Sequence, residues 1–321
     1  MKHYQFKFVE PGTPGDEWLC ESEGCVGRGQ TAEEAQASCL RLLGMRQLEL
    51  LKAPFPYFGG KSKVVDEVWQ RFGRPKQYIE PFCGSAAILL GAPQIAPLEV
   101  VGDWNGFIAN FWRAVTHQGD EVARWADYPV SHIDLGARHV WLMDQRPALA
   151  DALQDANWPG DAKVAGWWLW GQCAWIGSGW CDWGKIPRVQ ARGQIPFVSD
   201  AGQGVVNQIR RLSQRLARVR VIHGDWTRCL NHHYGKGNTA VFLDPPYAKF
   251  EGVYGTDSVS AAVGKWCREN EHLRIALCGL RGEHEMPGWS EHAWKRNRLT
   301  YGSAKTTALE VIWFSPACDP G

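Results

Sequence analysis

The sequence lacks most of what would mark a membrane, secreted or strongly polyanion-binding protein. In its 321 residues no apolar run approaches the ~18 residues of a membrane span. The opening MKHYQFKFVEPG is too polar for a signal peptide, so a cytoplasmic chain is expected. Net charge is almost nil: 35 Lys and Arg against 34 Asp and Glu leave +1. A duplex-binding protein often shows a strong positive balance, so any nucleic-acid footprint here must be local. The ten cysteines make no disulfide scaffold in a chain of this length. Cys20, Cys25 and Cys39 find no second pair or histidine cluster to complete a zinc pattern, and Cys173 and Cys181 have no partners. Reduced thiols and no metal are expected. Tryptophan is the residue in excess: there are eighteen, six of them from Trp167 to Trp183.

Two units are expected, residues 1–48 and 53–321. In the first, YQFKFVE alternates as a half-exposed strand and PGTPGD breaks it. EWLCESEGCVGRGQ allows a second strand and a glycine turn. Thr31 then caps a helix, Glu34 completes a capping box, and Ala35, Cys39, Leu42 and Leu43 supply an apolar face. The run GCVGRGQTAEEAQASCLRLL resembles the HicB-like antitoxin fold, which implies a small β-β-α module for protein or nucleic-acid contacts; a plain hairpin-and-helix appendage is the alternative.

The second unit alternates strand and helix. APFPYFGGKSKVVDEVWQRF is a glycine turn followed by apolar residues at helical spacing (Val64, Val65, Val68, Trp69, Phe72). QYIEPFCGSAAILLG is strand, turn and helix, and LEVVGDWNGFIANFWRAV is a strand ending in Asp103, then a helix. The rhythm predicts an α/β fold with a parallel sheet. It breaks at about 119–204, as an inserted lobe would break it, and resumes through VNQIRRLSQRLARVRVIHGDW, NTAVFLDPPY, LRIALCGL and ALEVIWFSP.

Three turns carry chemistry. In YIEPFCGS the glycine turn follows a strand and opens a helix, where a nucleoside lies against a helix start. Gly84 allows close backbone approach, Glu80 can accept from an amino-bearing ligand, and Asp103 ends the next strand, where an acid binds ribose hydroxyls. The pattern is not GxGxxG, so it fits a cofactor without pyrophosphate, such as S-adenosylmethionine, better than a dinucleotide. FGGKS is not a phosphate loop, because that motif needs glycine at the position of Phe55. Lys61 can face a carboxylate there, and Tyr57 can stack on adenine. In Asp244-Pro245-Pro246-Tyr247, two prolines fix φ twice and remove two donors. Carboxylate, rigid acceptor backbone and aromatic face together suit a planar base with an exocyclic NH2. A strand ending in a proline turn is the bland alternative.

In order, PYFGGK, EPFCGS, GDWN and DPPY resemble the Dam-like (D12 class) DNA N6-adenine methyltransferases over about residues 53–316. The resemblance implies a Rossmann-like fold, S-adenosylmethionine as cofactor and a recognition insert before DPPY. It places Tyr57, Phe58, Gly60, Lys61, Glu80, Phe82, Gly84, Ser85, Asp103, Asp225 and Trp226 at the cofactor. It places Asp244, Pro245, Pro246 and Tyr247 at a target base flipped out of double-stranded DNA. Trp104 departs from the family, which usually has an aliphatic residue there, and the insert matches only loosely. An N4-cytosine or RNA amino methyltransferase, or an inactive DNA-binding or antitoxin-like protein, are the alternatives.

In the insert, Trp167, Trp168 and Trp170 begin an apolar run and read as core. WIGSGWCDWGKIPRVQARGQ alternates glycine with tryptophan before a run of cations. Trp175, Trp180, Lys185, Arg188 and Arg192 are therefore candidate DNA contacts, with a packed core as the alternative for the two tryptophans. Arg210, Arg211, Arg215 and Arg218 read as a solvated helix face, with phosphate contact as the alternative.

Overall fold

A computed structural model describes residues 7–9, 18–22, 25–29, 31, 34–35, 51–57, 59–175, 180–181, 204–230, 238–247, 259–294 and 309–318. The chain divides into two compact units, residues 1–50 with 92–95 and residues 51–91 with 96–321.

The first unit holds an antiparallel sheet of β1 (Lys7–Val9), β2 (Trp18–Ser22) and β3 (Cys25–Gly29), in that order. Its alternating first segment forms β1. The following stretch, expected to give one strand and a turn, gives two strands. Ser22 and Cys25 are register partners with only two residues between them, a separation that suits a hairpin. The Thr31 hydroxyl accepts the Glu34 amide at 3.1 Å, the capping contact that stops a free N–H at a helix start.

The second unit is α/β and Rossmann-like. Its strands are β4 (Gln77–Glu80), β5 (Leu98–Asp103), β6 (Val219–His223), β7 (Thr239–Leu243), β8 (Arg274–Leu280), β9 (Ser290–Trp294) and β10 (Glu310–Phe314). They lie in the order β6-β5-β4-β7-β8-β10-β9. The run from β6 to β8 is parallel, and β10 is antiparallel to both its neighbours. Every residue of β7 and β10 is buried, as a sheet covered on both faces requires. β9 escaped the sequence reading because SEHAW is an exposed edge strand with no apolar period. The chain winds outward from β4 through β5 to β6, then returns to β7 on the other side. The order therefore reverses between β4 and β7, and ligands bind outside the carboxyl ends at such a point.

Helices α1 (Val65–Phe72), α2 (Ala87–Leu90) and α3 (Gly106–Ala126) follow the first turns. α1 buries Val68, Trp69 and Phe72, the spacing read from sequence. α3 breaks helical geometry at Gln118 (φ −139°, ψ 38°), beside the start expected for the insert. The described part of that stretch is helical: α4 (His132–Ala152) and α5 (Ala162–Ala174), with α6 (Gly204–Leu216) after it and α7 (Val259–Glu269) further on. Asn110 and Asp161 fasten α5 to α3 by reciprocal bonds of 2.7 and 3.0 Å. Arg215 is no part of a solvated face: it is buried and grips Glu99 of β5 at 2.6 and 2.9 Å. Arg210 remains exposed and pairs with Asp120 at 2.8 Å.

Candidate active site

The carboxyl edge of β4, β5, β6 and β7 gathers the residues singled out in the sequence. Asp244 follows β7 directly, and Lys61 reaches it from the turn before α1. The Lys61 ammonium donates to the Gly59 carbonyl at 2.7 Å, to Asp244 Oδ2 at 2.5 Å and to the Tyr247 hydroxyl at 3.3 Å. An ammonium has three donors, so these contacts use all of them. Burial disfavours its charge, but Asp244 above all, then Cys278 and Glu310, more than offset that and raise the lysine pKa. The sequence placed Lys61 at the cofactor; the structure places its head group on the DPPY tetrad.

Tyr247 is 6% exposed. Its hydroxyl is 3.5 Å from Asp244 Oδ1 and 3.5 Å from Glu310 Oε2, held between two carboxylates and tightly by neither. Glu310 was missed because no motif marks it. The available signal was a charge heading EVIWF, a run that reads as buried strand.

The second turn is built around Gly84 and Asp103. Gly84 has φ +46°, and a Cβ there would lie 2.6 Å from the Tyr57 ring. Only glycine combines that backbone with that contact. Asp103 accepts the Gly84 amide at 3.0 Å and the Asn105 amide at 2.8 Å. Burial nevertheless raises its pKa to about 6 against those two bonds. Ser85 is buried, and the Gly60 amide closes the first turn onto the Tyr57 carbonyl at 3.1 Å.

Glu80 is 2% exposed, and one oxygen accepts Tyr78 Oη at 2.9 Å and the Leu89 amide at 3.3 Å. Burial raises its pKa to about 8, opposed by those bonds and helped by the charges of Asp244 and Asp103. It sits behind the turn as a packed acid.

Phe82 stacks on Trp226 with centroids 6.2 Å apart and planes at 25°, and Trp266 meets Trp226 edge-on at 6.1 Å. Asp225 is exposed beside this wall and caps the short 3-10 turn Trp226–Cys229. Trp175 and Trp180 are buried, 7% and 8% exposed. The Trp180 indole donates to the Trp168 carbonyl at 3.0 Å, and a Cβ at Gly171 would lie 1.9 Å from its ring. As placed, both tryptophans are buried, and the Trp180 indole fills the slot that Gly171 of α5 leaves open. Phe58, Lys185, Arg188 and Arg192 lie outside the described residues.

Among the described residues no group of three His, Cys, Asp or Glu could hold a metal ion, and no helix is long and apolar enough to cross a membrane. Burial pushes the thiols of Cys83 and Cys278 well above their ordinary range, so neither is a ready nucleophile.

Residues 57–129 match the family model described as D12 class N6 adenine-specific DNA methyltransferase. The matched segment contains the Lys61 turn, the Gly84 turn and Asp103, and it ends before β6 and the DPPY tetrad. No curated protein matches the chain. Among solved structures the chain is similar to one described as "Putative methyltransferase yhhF from Escherichia coli", at 12% identity and a TM-score of 0.34, over 82% of this chain and 91% of that one. The family match, on a Rossmann-like sheet, supports a methyltransferase.

Proposed function

We propose that the chain is an S-adenosylmethionine-dependent methyltransferase acting on the N6 amine of an adenine flipped out of double-stranded DNA, in the cytoplasm. The observation that carries this reading is the junction of the two turns. Asp244-Pro245-Pro246-Tyr247 leaves β7 beside the reversal of strand order, with Lys61 on its carboxylate and the Gly84–Asp103 turn on the neighbouring strands.

The residues present fit the cofactor. Acids end β5 and follow β6, where a nucleoside diol and amino group are donors, and the Phe82–Trp226 wall offers a face to a purine. Acids in these places do not fit a pyrophosphate. Asp103, Asp225, Phe82, Trp226 and the Gly84 backbone would hold S-adenosylmethionine, which supplies a methyl group on cationic sulfur. Tyr57, lying across Gly84, would border it.

An adenine amine is a poor nucleophile because its lone pair is delocalised into the ring. Asp244 and the Pro245 carbonyl accept from its two N–H groups and turn the lone pair towards the methyl carbon. Bound S-adenosylmethionine would supply the methyl group, and Asp244 would take the surplus N6 proton and pass it on to water. A stacked base cannot reach this edge, so it must leave the duplex, with Tyr247 as its replacement stacking face.

Single-molecule sequencing of DNA from cells expressing the chain tests this directly. Methylated adenine at a defined context is expected. Modified cytosine in place of adenine would move the reading to an N4-cytosine enzyme. Unmodified DNA, together with no binding of labelled cofactor, would leave an inactive binding protein.

A further inference from the structure

Glu310 is 1% exposed and opens β10. β10 runs antiparallel to β8 with Glu310 opposite Leu280, so this carboxylate arrives at the same edge as Asp244. A buried carboxylate is costly unless it is paired. Its partners lie in the site: it favours the charge of Lys61, and it shares the Tyr247 hydroxyl with Asp244 at equal distances of 3.5 Å. Two carboxylates thus stand around one ammonium and one phenol. Cys278 from β8 and Glu80 from β4 are the other titratable groups in electrostatic reach of this cluster.

The Lys61–Asp244 contact of 2.5 Å covers an oxygen that the proposed reaction needs. When Asp244 turns to an amino group, Lys61 loses its nearest counter-ion in a place where an unpaired ammonium is strongly disfavoured. We infer that Glu310 is a positioning residue, the second counter-ion that keeps Lys61 in place and anchors the Tyr247 hydroxyl while Asp244 engages the target base. This rests on the methyl-transfer reading of Asp244, but the contact it describes can be read without any reaction.

Glu310→Gln keeps the shape and removes the charge. With 3-fluorotyrosine at position 247, the 19F titration of the phenol should move down by roughly one unit in this variant, because a neighbouring negative charge is gone. Single-turnover methyl transfer should fall about tenfold or more, a loss confined to the chemical step, while labelled S-adenosylmethionine binds within about twofold of wild type. Glu310→Asp retains the charge, so its phenol should titrate near wild type; it also serves should Glu310→Gln not fold. In a Lys61→Met background Glu310→Gln should cost little further rate, since the two act as a unit. An unshifted phenol in Glu310→Gln overturns the inference even where the wild-type chain methylates DNA. A wild-type rate in Glu310→Gln overturns it too. A shifted phenol in a chain that never methylates DNA upholds the contact and overturns the methyl-transfer reading instead.

Discussion

The Lys61 ammonium and Asp244 Oδ2 are 2.5 Å apart, joining a turn before the first helix of the sheet unit to the residue that follows β7, 183 positions later. The lysine is 4% exposed and the aspartate 19%, so water screens the pair little. The pair orients one carboxylate oxygen and leaves the other, Oδ1, towards Tyr247.

Asp244→Ala should therefore have two separable effects. Methyl transfer should drop by about 10²–10³, the loss typical for one preorganised acceptor, with cofactor binding retained. Stability should fall by about 3 kcal/mol, the low end for removing one partner of a buried pair, because Gly59 and Glu310 still attend Lys61. Rapid-quench kinetics and urea unfolding measure the two. Near wild-type methylation by Asp244→Ala would remove the catalytic assignment.

On the proposed reading, Asp103 should give cofactor binding a pH dependence. Its carboxyl, raised to about 6 mainly by burial, is largely protonated at pH 5 and ionised at pH 7. If the ionised form receives the ribose hydroxyls, S-adenosylmethionine affinity should rise with pH through about 6 and level off above 7. Asp103→Asn should bind weakly at every pH and lose that slope. Calorimetric titration at pH 5, 6 and 7 decides it, and a sloped profile persisting in Asp103→Asn would assign the titration elsewhere.

Much of this edge was legible in the sequence because its signals are local. Two prolines after a short apolar run, or a glycine between a strand and a helix, state their backbone constraints within a few residues. Val68, Trp69 and Phe72 declared the buried face of α1 by spacing alone. Contacts made across the fold left no such trace. Nothing near Lys61 in sequence names Asp244 as its partner, and nothing near Arg215 separates a buried guanidinium from the solvated cations around it. Glu80 was read as a ligand because it ends a strand. Its side chain points instead to Tyr78, two residues back on the same face of β4.

Glu80 gives the stability profile a sign that can be checked. Its folded pKa of about 8 lies above the ordinary carboxylate value of 4.5. Between those values the folded chain holds a proton that the unfolded chain has lost. Stability from this group is thus fully present below pH 4.5 and falls as pH rises towards 8, by up to about 1.4 kcal/mol per unit. Glu80→Gln keeps the acceptor for Tyr78 and Leu89 and cannot ionise. It should match wild type near pH 5 and be the more stable protein at pH 8, and denaturant titrations at both values test that crossover.

The two-unit organisation predicts that a chain beginning at Leu48 retains the whole seven-stranded sheet and still methylates DNA. Every residue placed at the candidate site lies in the second unit. Soluble protein with no methyl transfer would contradict this division. Retained activity with an altered sequence context would make the first unit a DNA-reading element.

The last prediction concerns what holds the sheet's edge in register. Arg215 on α6 grips Glu99 on β5 through both oxygens, at 2.6 and 2.9 Å, and also donates to the Leu89 carbonyl at 3.0 Å. One guanidinium thus ties a helix, the strand that ends in Asp103 and the short helix after the Gly84 turn. Both partners are buried, at 7% and 1% exposed. Arg215→Ala strands a carboxylate in the interior and should cost about 3–5 kcal/mol. The double change Arg215→Met with Glu99→Leu leaves no buried charge unpaired and should recover much of that loss, less what the Ala96 amide and the Leu89 carbonyl lose as hydrogen-bond partners, because a buried pair often does little better than an apolar one of similar volume. Recovery of stability need not restore the site. Without the Leu89 contact α2 is less tightly held behind Gly84, so cofactor affinity in the double variant should stay below wild type while its melting temperature returns. Should affinity and stability recover together, the guanidinium would have no part in shaping the turn.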